Sequence, residues 1–263
     1  MEFSKNDYWA IILGGSRGLG LATAKKLVSH GINVCIVHRD PRTQLPQFIL
    51  ECESMRTSGS KVLTFNMDAT KRDSQKEICT QLKKAMGPRG RVRLLLHSIA
   101  KGNVKPMAST KVANLDHQDF MVTLDAMAVS LYDWTRQCVD FKLFAKDARV
   151  LSFTSEGSKK PWIHYAAVGA AKAALEAITR SIALEFAPFG IKANCIQAGV
   201  TDTQSLAMIP NSDAIKKYTQ KRNPSNRLTR PEDVANVVYL MCKDESAWIN
   251  GAILPVDGGE HLS

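Results

Sequence analysis

Apolar residues along the chain fall alternately into short β-branched runs and longer stretches of helical period, almost from end to end. The short runs predict strands at Trp9–Leu13, Asn33–His38, Lys61–Asn66, Val92–His97, Arg149–Thr154, Lys192–Gln197 and Ala252–Pro255. Between them, the spacing predicts helices over Leu19–Ser29, Arg72–Met86, Phe120–Phe144, Tyr165–Phe186 and Pro231–Lys243. The last has Thr229 placed to cap it and Pro231 in its first turn. Runs such as Ala10-Ile11-Ile12-Leu13 and Leu94-Leu95-Leu96 are apolar without alternation, as in strands covered on both faces. Strand and helix alternating in this way predict a doubly wound parallel α/β sheet of about seven strands, with helices on both faces. No repeat or composition break divides the chain, so residues 1–263 are read as a single domain. The stretch from Val200 to Arg230 has no clear period and is rich in Thr, Asn, Pro and Lys. Inside a compact domain, an irregular segment of that length reads as a substrate-binding lid.

Composition narrows the class without choosing a function. At 44% hydrophobic and 23% charged the chain is ordinary for a folded protein, which excludes disordered and low-complexity architectures. The apolar stretch Tyr8 to Gly15 falls far short of a membrane span, and the first residues lack the features of a secretory signal, so the expected location is cytoplasmic. Six scattered cysteines, with no metal-ligand spacing among them, read as buried thiols, and no metal is expected. A net charge of +10 favours an acidic partner, whether nucleotide phosphate, nucleic acid or anionic membrane. The sign alone does not select one.

Candidate chemistry begins directly after the first strand, at Gly14-Gly15-Ser16-Arg17-Gly18-Leu19-Gly20. Glycines at this spacing, between a strand and a helix, allow a tight turn and bring backbone N–H groups to a pyrophosphate at the helix N-terminus. The fold expectation thereby becomes a Rossmann-type domain binding a dinucleotide. The second strand ends His38-Arg39-Asp40. Arg39 and Arg17 together predict a guanidinium clamp for a 2′-phosphate, hence NADPH in preference to NADH. If Asp40 faces the ribose instead, the preference reverses. Asp68 is a candidate for the adenine amino group, or an ordinary turn aspartate.

A second constellation is Tyr165-Ala166-Ala167-Val168-Gly169-Ala170-Ala171-Lys172. Seven helical residues make nearly two turns, so Tyr165 and Lys172 share a face roughly 10 Å apart along the axis. A nearby ammonium lowers a phenol's pKa and strengthens it as an acid or as a donor to a developing oxyanion. Read on spacing alone, the same pair also suits a packed helix with a buried Tyr and a snorkelling Lys.

These features, with His97-Ser98-Ile99-Ala100, Lys192-Ala193-Asn194-Cys195-Ile196-Gln197-Ala198-Gly199 and Pro255-Val256-Asp257-Gly258-Gly259, resemble the short-chain dehydrogenase/reductase superfamily from about Tyr8 to Gly259. The Tyr-x6-Lys spacing and His-Ser-Ile-Ala segment resemble its divergent enoyl-acyl-carrier-protein reductases; carbonyl-reducing members carry Tyr-x3-Lys, and here that position is Gly169. Asp202-Thr203-Gln204-Ser205-Leu206 and Ile209-Pro210-Asn211 further resemble the type III, FabL-like branch. The resemblance implies an NADPH-dependent enoyl reductase of fatty-acid or polyketide synthesis, in which Tyr165 donates to the enolate oxygen and Lys172 holds the nicotinamide ribose. It implies cofactor contacts at Gly14, Ser16, Arg17, Gly18, Leu19, Gly20, Arg39, Asp68, Ala69, Ser98, Ile99, Ala100, Gly199, Val200, Thr201 and Thr203.

Ser155 stands where carbonyl-reducing relatives bind the substrate oxygen and many enoyl reductases place a second Tyr. It is an auxiliary catalytic candidate or a turn serine. Helix Asp125-Ala126-Met127-Ala128-Val129-Ser130 lacks the relay Asn of carbonyl-reducing members. Lys216, Lys217, Lys221, Arg222, Arg227 and Arg230 suggest either a basic rim that steers an acidic carrier or a solvated face. Leu206, Met208 and Ile209 offer apolar contacts to an acyl chain, or pack the lid. An acyl-carrier-protein or coenzyme A thioester as substrate and a homotetrameric assembly follow from the resemblance; nucleic acid and membrane are not expected partners. The competing readings are a ketone reductase of the same fold and a protein that senses NADP or binds nucleic acid without turnover.

Overall fold

Six successive residues of the first strand, β1 (Tyr8–Leu13), set the architecture: Ile11 and Leu13 join the hydrophobic cluster on one face of the sheet, Ala10 and Ile12 that on the other. Such two-sided burial is what an unalternating apolar run requires. The structure, a computed structural model, describes residues 2–262. The chain continues through α1 (Gly18–Ser29), β2 (Asn33–His38), α2 (Leu45–Arg56), β3 (Val62–Asn66), α3 (Arg72–Met86) and β4 (Arg91–His97). The second half comprises α4 (His117–Leu124), α5 (Ser130–Asp140), β5 (Phe144–Thr154), α6 (Ala166–Glu185) and β6 (Ile191–Ala198), then α7 (Gln204–Ala207), α8 (Ser212–Arg222), α9 (Pro231–Met241) and β7 (Ile253–Val256). All seven strands form one parallel sheet in the order β3-β2-β1-β4-β5-β6-β7. After β3 the chain crosses back to lay β4 beside β1, with Leu13 opposite His97. A parallel sheet opens a crevice beyond the carboxyl ends of its strands at such a switch point.

Three expectations need correction. The predicted helix Phe120–Phe144 is two helices joined by a π-helical turn, Asp125–Val129, and its last residue already begins β5. Asp116 starts α4 by accepting from Asp119 N–H at 2.8 Å, while Asp119 accepts in return from Asp116 N–H at 3.1 Å. The hydroxyl of Ser130 back-bonds to the Ala126 carbonyl at 2.9 Å across the widened turn. Lys142, at φ +55°, then reverses the chain so that Phe144 pairs with Val92. Val139 and Asp140 thus end α5, Phe141 to Leu143 form the turn, and Phe144 begins β5.

The stretch from 200 to 230 is not irregular, since it contains α7 and α8. Thr203 caps α7 by accepting from Leu206 N–H at 3.3 Å. At α9, Pro231 occupies the first turn as predicted, but the cap position is Arg230, whose N–H is satisfied by Asp233 at 2.8 Å. Thr229 instead bridges to Thr201. No described helix is long and apolar enough to cross a membrane, and all six cysteines are buried and free.

Candidate active site

The crevice begins at the turn between β1 and α1. Gly14 has φ +81°, and a Cβ there would stand 2.5 Å from the Ser98 carbonyl oxygen. A Cβ on Gly20 would come within 2.3 Å of the Gly14 carbonyl. Only glycine fits either place. Gly14 N–H donates to Val37 at 2.8 Å and Ser98 N–H to Leu13 at 2.8 Å, so the turn is fixed between the ends of β2 and β4. Arg17 is the first cap residue of α1, extended, and provides no side-chain acceptor to the helix N-terminus. The result is a glycine-lined cradle at an uncapped N-terminus, which suits a pyrophosphate. Ser16 and Gly18 line the turn half-buried, Gly18 with the Thr203 methyl 3.3 Å from where its Cβ would stand. Leu19 packs partly into the core, as does Ile99 beside Ser98, and Ala100 is exposed.

The expected guanidinium clamp is not formed. Arg17 pairs with Asp40 and also donates to Gln44 and Gln204, whereas Arg39 is 65% exposed and donates to Asp68 at 2.9 Å. Asp40, only 6% exposed, is the residue that turns inward. Its other oxygen lies 2.8 Å from His38 Nδ1. Burial pushes the His38 imidazole down against the pull of Asp40, so a neutral ring donates this bond. Asp68 is organised as a turn aspartate, accepting from Thr70 N–H at 3.0 Å and Thr70 hydroxyl at 2.7 Å. The neighbouring Ala69 is buried, its carbonyl accepting from Trp134 at 2.8 Å.

Tyr165 stands at the cap of α6 and packs, with Val104 and Leu124, on the apolar cluster of Ala126, Met127, Val168 and Ala171. Its hydroxyl lies 3.3 Å from Ser155 Oγ. Burial raises the phenol pKa, partly countered by Ser155; the predicted lowering by lysine is therefore not seen. The phenol keeps its proton at neutral pH. The Lys172 ammonium is buried on α6 and turned to the Phe153 carbonyl at 2.7 Å. Burial lowers its pKa to about 8, partly offset by Cys195 and Glu176, and it is still mostly protonated at pH 7. His97, on β4, holds Ser130 Oγ at 2.8 Å; burial and the charge of Lys172 push its pKa down to about 3, so it is neutral.

Gly169 explains the register of this pair. A Cβ at 169 would lie 2.6 Å from the Gly157 carbonyl, and one at 157 would lie 2.5 Å from the Tyr165 ring. The backbone of the loop after β5 fills the volume a side chain at the fourth position after Tyr165 would need. Sequence reading did not identify Gly157, whose role arises from a contact with the helix and has no local motif. We expect Gly169→Ala to displace this loop, lowering stability by about 1–3 kcal/mol as over-packing does and reducing turnover more than nucleotide affinity. Thermal melting and nucleotide titration measure the two effects separately; an unchanged melting curve with unchanged turnover would show that the contact is dispensable.

A protein-family model described as Enoyl-(Acyl carrier protein) reductase matches residues 14–261. The chain belongs to this family of short-chain dehydrogenases/reductases. Members of the superfamily that resemble it differ in chemistry. It is 28% identical over 254 residues to a 7alpha-hydroxysteroid dehydrogenase of Paraclostridium sordellii, covering 96% of this chain and 91% of the relative. It is 32% identical over 168 residues to the Enoyl-[acyl-carrier-protein] reductase [NADH] FabI of Buchnera aphidicola, covering 64% of each. In fold it is similar to a short chain dehydrogenase of Burkholderia cenocepacia in complex with NADP, with TM-score 0.83, 23% identity, and coverage of 98% and 99% of the two chains.

In this short-chain dehydrogenase/reductase, the segment after β6 is held from several sides. Val200 N–H donates to Glu260 at 3.0 Å, and the Thr201 hydroxyl to the Gly199 carbonyl at 3.0 Å. Half of the suggested basic rim is paired: Lys216 with Asp202 and Asp213, Arg227 with Asp233, and Arg222 with Glu156 and Glu260. Lys217, Lys221 and Arg230 remain exposed. Leu206 is buried and packs the segment, while Met208 is 71% exposed.

Proposed function

We propose that the chain is an NADPH-dependent enoyl-acyl-carrier-protein reductase, saturating the trans-2 double bond of an acyl thioester. Bound NADPH would supply the hydride that the substrate Cβ receives. The residues suited to hold it are Gly14, Ser16, Arg17, Gly18, Leu19 and Gly20 at the pyrophosphate, Asp68 and Ala69 at the adenine, and Ser98, Ile99 and Ala100 beside the turn, while Arg17 and Arg39 would reach a 2′-phosphate only on leaving Asp40 and Asp68. Lys172 would hold the nicotinamide ribose, and Gly199, Val200, Thr201 and Thr203 the carboxamide end. Asp40 argues for NADH, yet it is already paired with Arg17 and His38.

Negative charge develops on the thioester oxygen, three bonds from Cβ, and a phenol that keeps its proton is the donor for it. The apolar cluster on which Tyr165 packs leaves the half-buried phenol less water on that side. Lys172, buried and turned to the Phe153 carbonyl, would keep its charge for the nicotinamide ribose. The observation that carries this reading is the closed position at Gly169, which leaves Lys172 as the lysine partner on the helix of Tyr165. In carbonyl reduction, hydride and proton arrive one bond apart; the longer Tyr-x6-Lys spacing suits a more distant oxyanion.

The segment 200–230 would act as the lid, and a carrier-protein or coenzyme A thioester as the acyl donor. Exposed Met121, Tyr132, Leu184 and Phe189 on and near α4, α5 and α6 support a homotetramer, and a cytoplasmic setting accords with the proposed substrates. One observation favours a second reading. Ser155 stands 3.3 Å from the Tyr165 hydroxyl, the pairing that reduction of a ketone would use. Absorbance at the nicotinamide band, with NADH or NADPH against crotonyl and acetoacetyl thioesters, separates the two. We expect oxidation of NADPH with the enoyl thioester; turnover of the ketoacyl thioester alone would select the second reading.

A further inference from the structure

Arg222, at the last turn of α8, is unusual among the basic residues of its segment. Its side chain is 8% exposed, between Glu156 at 14% and Glu260 at 3%. One guanidinium nitrogen serves both carboxylates, donating to Glu156 and, at 2.8 Å, to Glu260. The guanidinium carbon also lies 5.5 Å from the ring centre of Tyr218 on the same helix and 5.9 Å from that of Trp162, three residues before Tyr165. The two rings meet edge to face at 6.2 Å. Lys160 balances the group by pairing with Glu156 at 2.7 Å.

The two carboxylates belong to different parts of the crevice. Glu156 follows Ser155 and precedes Gly157, which packs on the Tyr165 ring. Glu260, near the chain end, uses its second oxygen to accept from Val200 N–H at 3.0 Å. The chain of contacts therefore runs from Val200 through Glu260 and Arg222 to Glu156 and the loop against Tyr165. Planar guanidinium donors can join two carboxylates with defined geometry, whereas an ammonium cannot do so in the same way.

We propose that Arg222 is a positioning residue that transmits seating of the nucleotide on the 199–203 segment to α8 and to the loop carrying Ser155. The proposal rests on the cofactor reading above and adds the joint through which the lid senses the cofactor. Bound nucleotide fixes Val200, Val200 fixes Glu260, and the buried carboxylate holds Arg222 and with it the lid helix. Burial raises the Glu260 pKa, so loss of Arg222 removes the partner that keeps this carboxylate ionised.

Hydrogen exchange of the full-length protein, with and without NADP+, tests the joint. In the natural sequence we expect nucleotide to slow exchange about tenfold both at residues 14–20 and at 212–222. In Arg222→Gln the protection at 14–20 remains and that at 212–222 is lost, while the KM for enoyl thioester rises more than kcat falls. Arg222→Lys, which keeps the charge, recovers part of the protection, distinguishing positioning from general loss of fold; melting of both variants without nucleotide serves as the folding control. If Arg222→Gln keeps nucleotide-dependent protection at 212–222, the joint is refuted and the cofactor reading stands. If nucleotide protects neither region in the natural sequence, both are refuted.

Discussion

Replacing Tyr165 by Phe is expected to reduce kcat on an enoyl thioester by roughly 10²–10³, as loss of one oxyanion donor does, with nucleotide affinity nearly unchanged. The separation follows from where the hydroxyl stands. It is 3.3 Å from Ser155 and surrounded by apolar side chains, and neither Lys172 nor the glycine cradle leans on it. Phe retains the ring that packs against Gly157 and Val168, so the fold should melt as before. Steady-state kinetics and nucleotide fluorescence titration on the same preparation make the comparison. Turnover within about threefold of the natural enzyme, a difference worth less than 1 kcal/mol in the barrier, would remove Tyr165 from the chemistry.

The largest effect on stability is expected at the opposite end of the sheet. Arg93 of β4 and Arg149 of β5 are almost wholly buried, and both donate to Asp147, at 2.8 and 2.6 Å. Lys192 joins them at 2.5 Å. The two guanidinia also satisfy the carbonyls of Met241, Cys242 and Lys243, which ties the end of α9 to the sheet. Asp147→Ala leaves buried cations short of their counter-charge and should cost about 3–5 kcal/mol, a fall in Tm on the order of 10 °C. Asp244 also pairs with Arg93 but is 90% exposed, so Asp244→Asn should cost little. Burial alone would raise the Asp147 carboxyl, but the bonds from Arg149 and Lys192 and the charges of both arginines hold it well below its ordinary value of 3.8. A depressed carboxyl stabilises the fold above that value and loses its contribution as pH falls toward the folded pKa. The gap in Tm between natural and Asp147→Ala proteins should therefore be full at neutral pH and narrow below about pH 4. Equal melting temperatures at pH 7 would contradict this account.

What the sequence revealed depended on how local the signal was. Whereas Tyr165 caps α6 from outside the helix and meets Ser155, and Lys172 meets the Phe153 carbonyl, the glycine turn is legible because its geometry is set by neighbours within a few residues. Strands buried on both faces are legible for the same reason. Beyond that range, the signal weakens. Val139, Phe141, Leu143 and Phe144 are apolar whether the chain continues a helix or starts β5, and Lys142 at φ +55° marks the reversal. Helix α8 is mostly polar, so it presents little period to read. Orientation at the end of β2 was within reach: side chains alternate along a strand, so His38 and Asp40 share one side and Arg39 takes the other. Arg222 and Glu260 meet across 38 residues, and a basic residue in a polar helix gives no sign of burial.

The strand order separates two kinds of duty along the chain. The turns beyond β1 to β4 that form the cradle all lie within the first 100 residues, while α7 and α8 come from the insertion between β6 and α9. Natural selection can therefore remodel α7 and α8 without altering the glycine turn itself. A lineage that exchanges those two helices leaves the turn between β1 and α1 as it found it, so the surface beside the crevice can change shape while its floor persists.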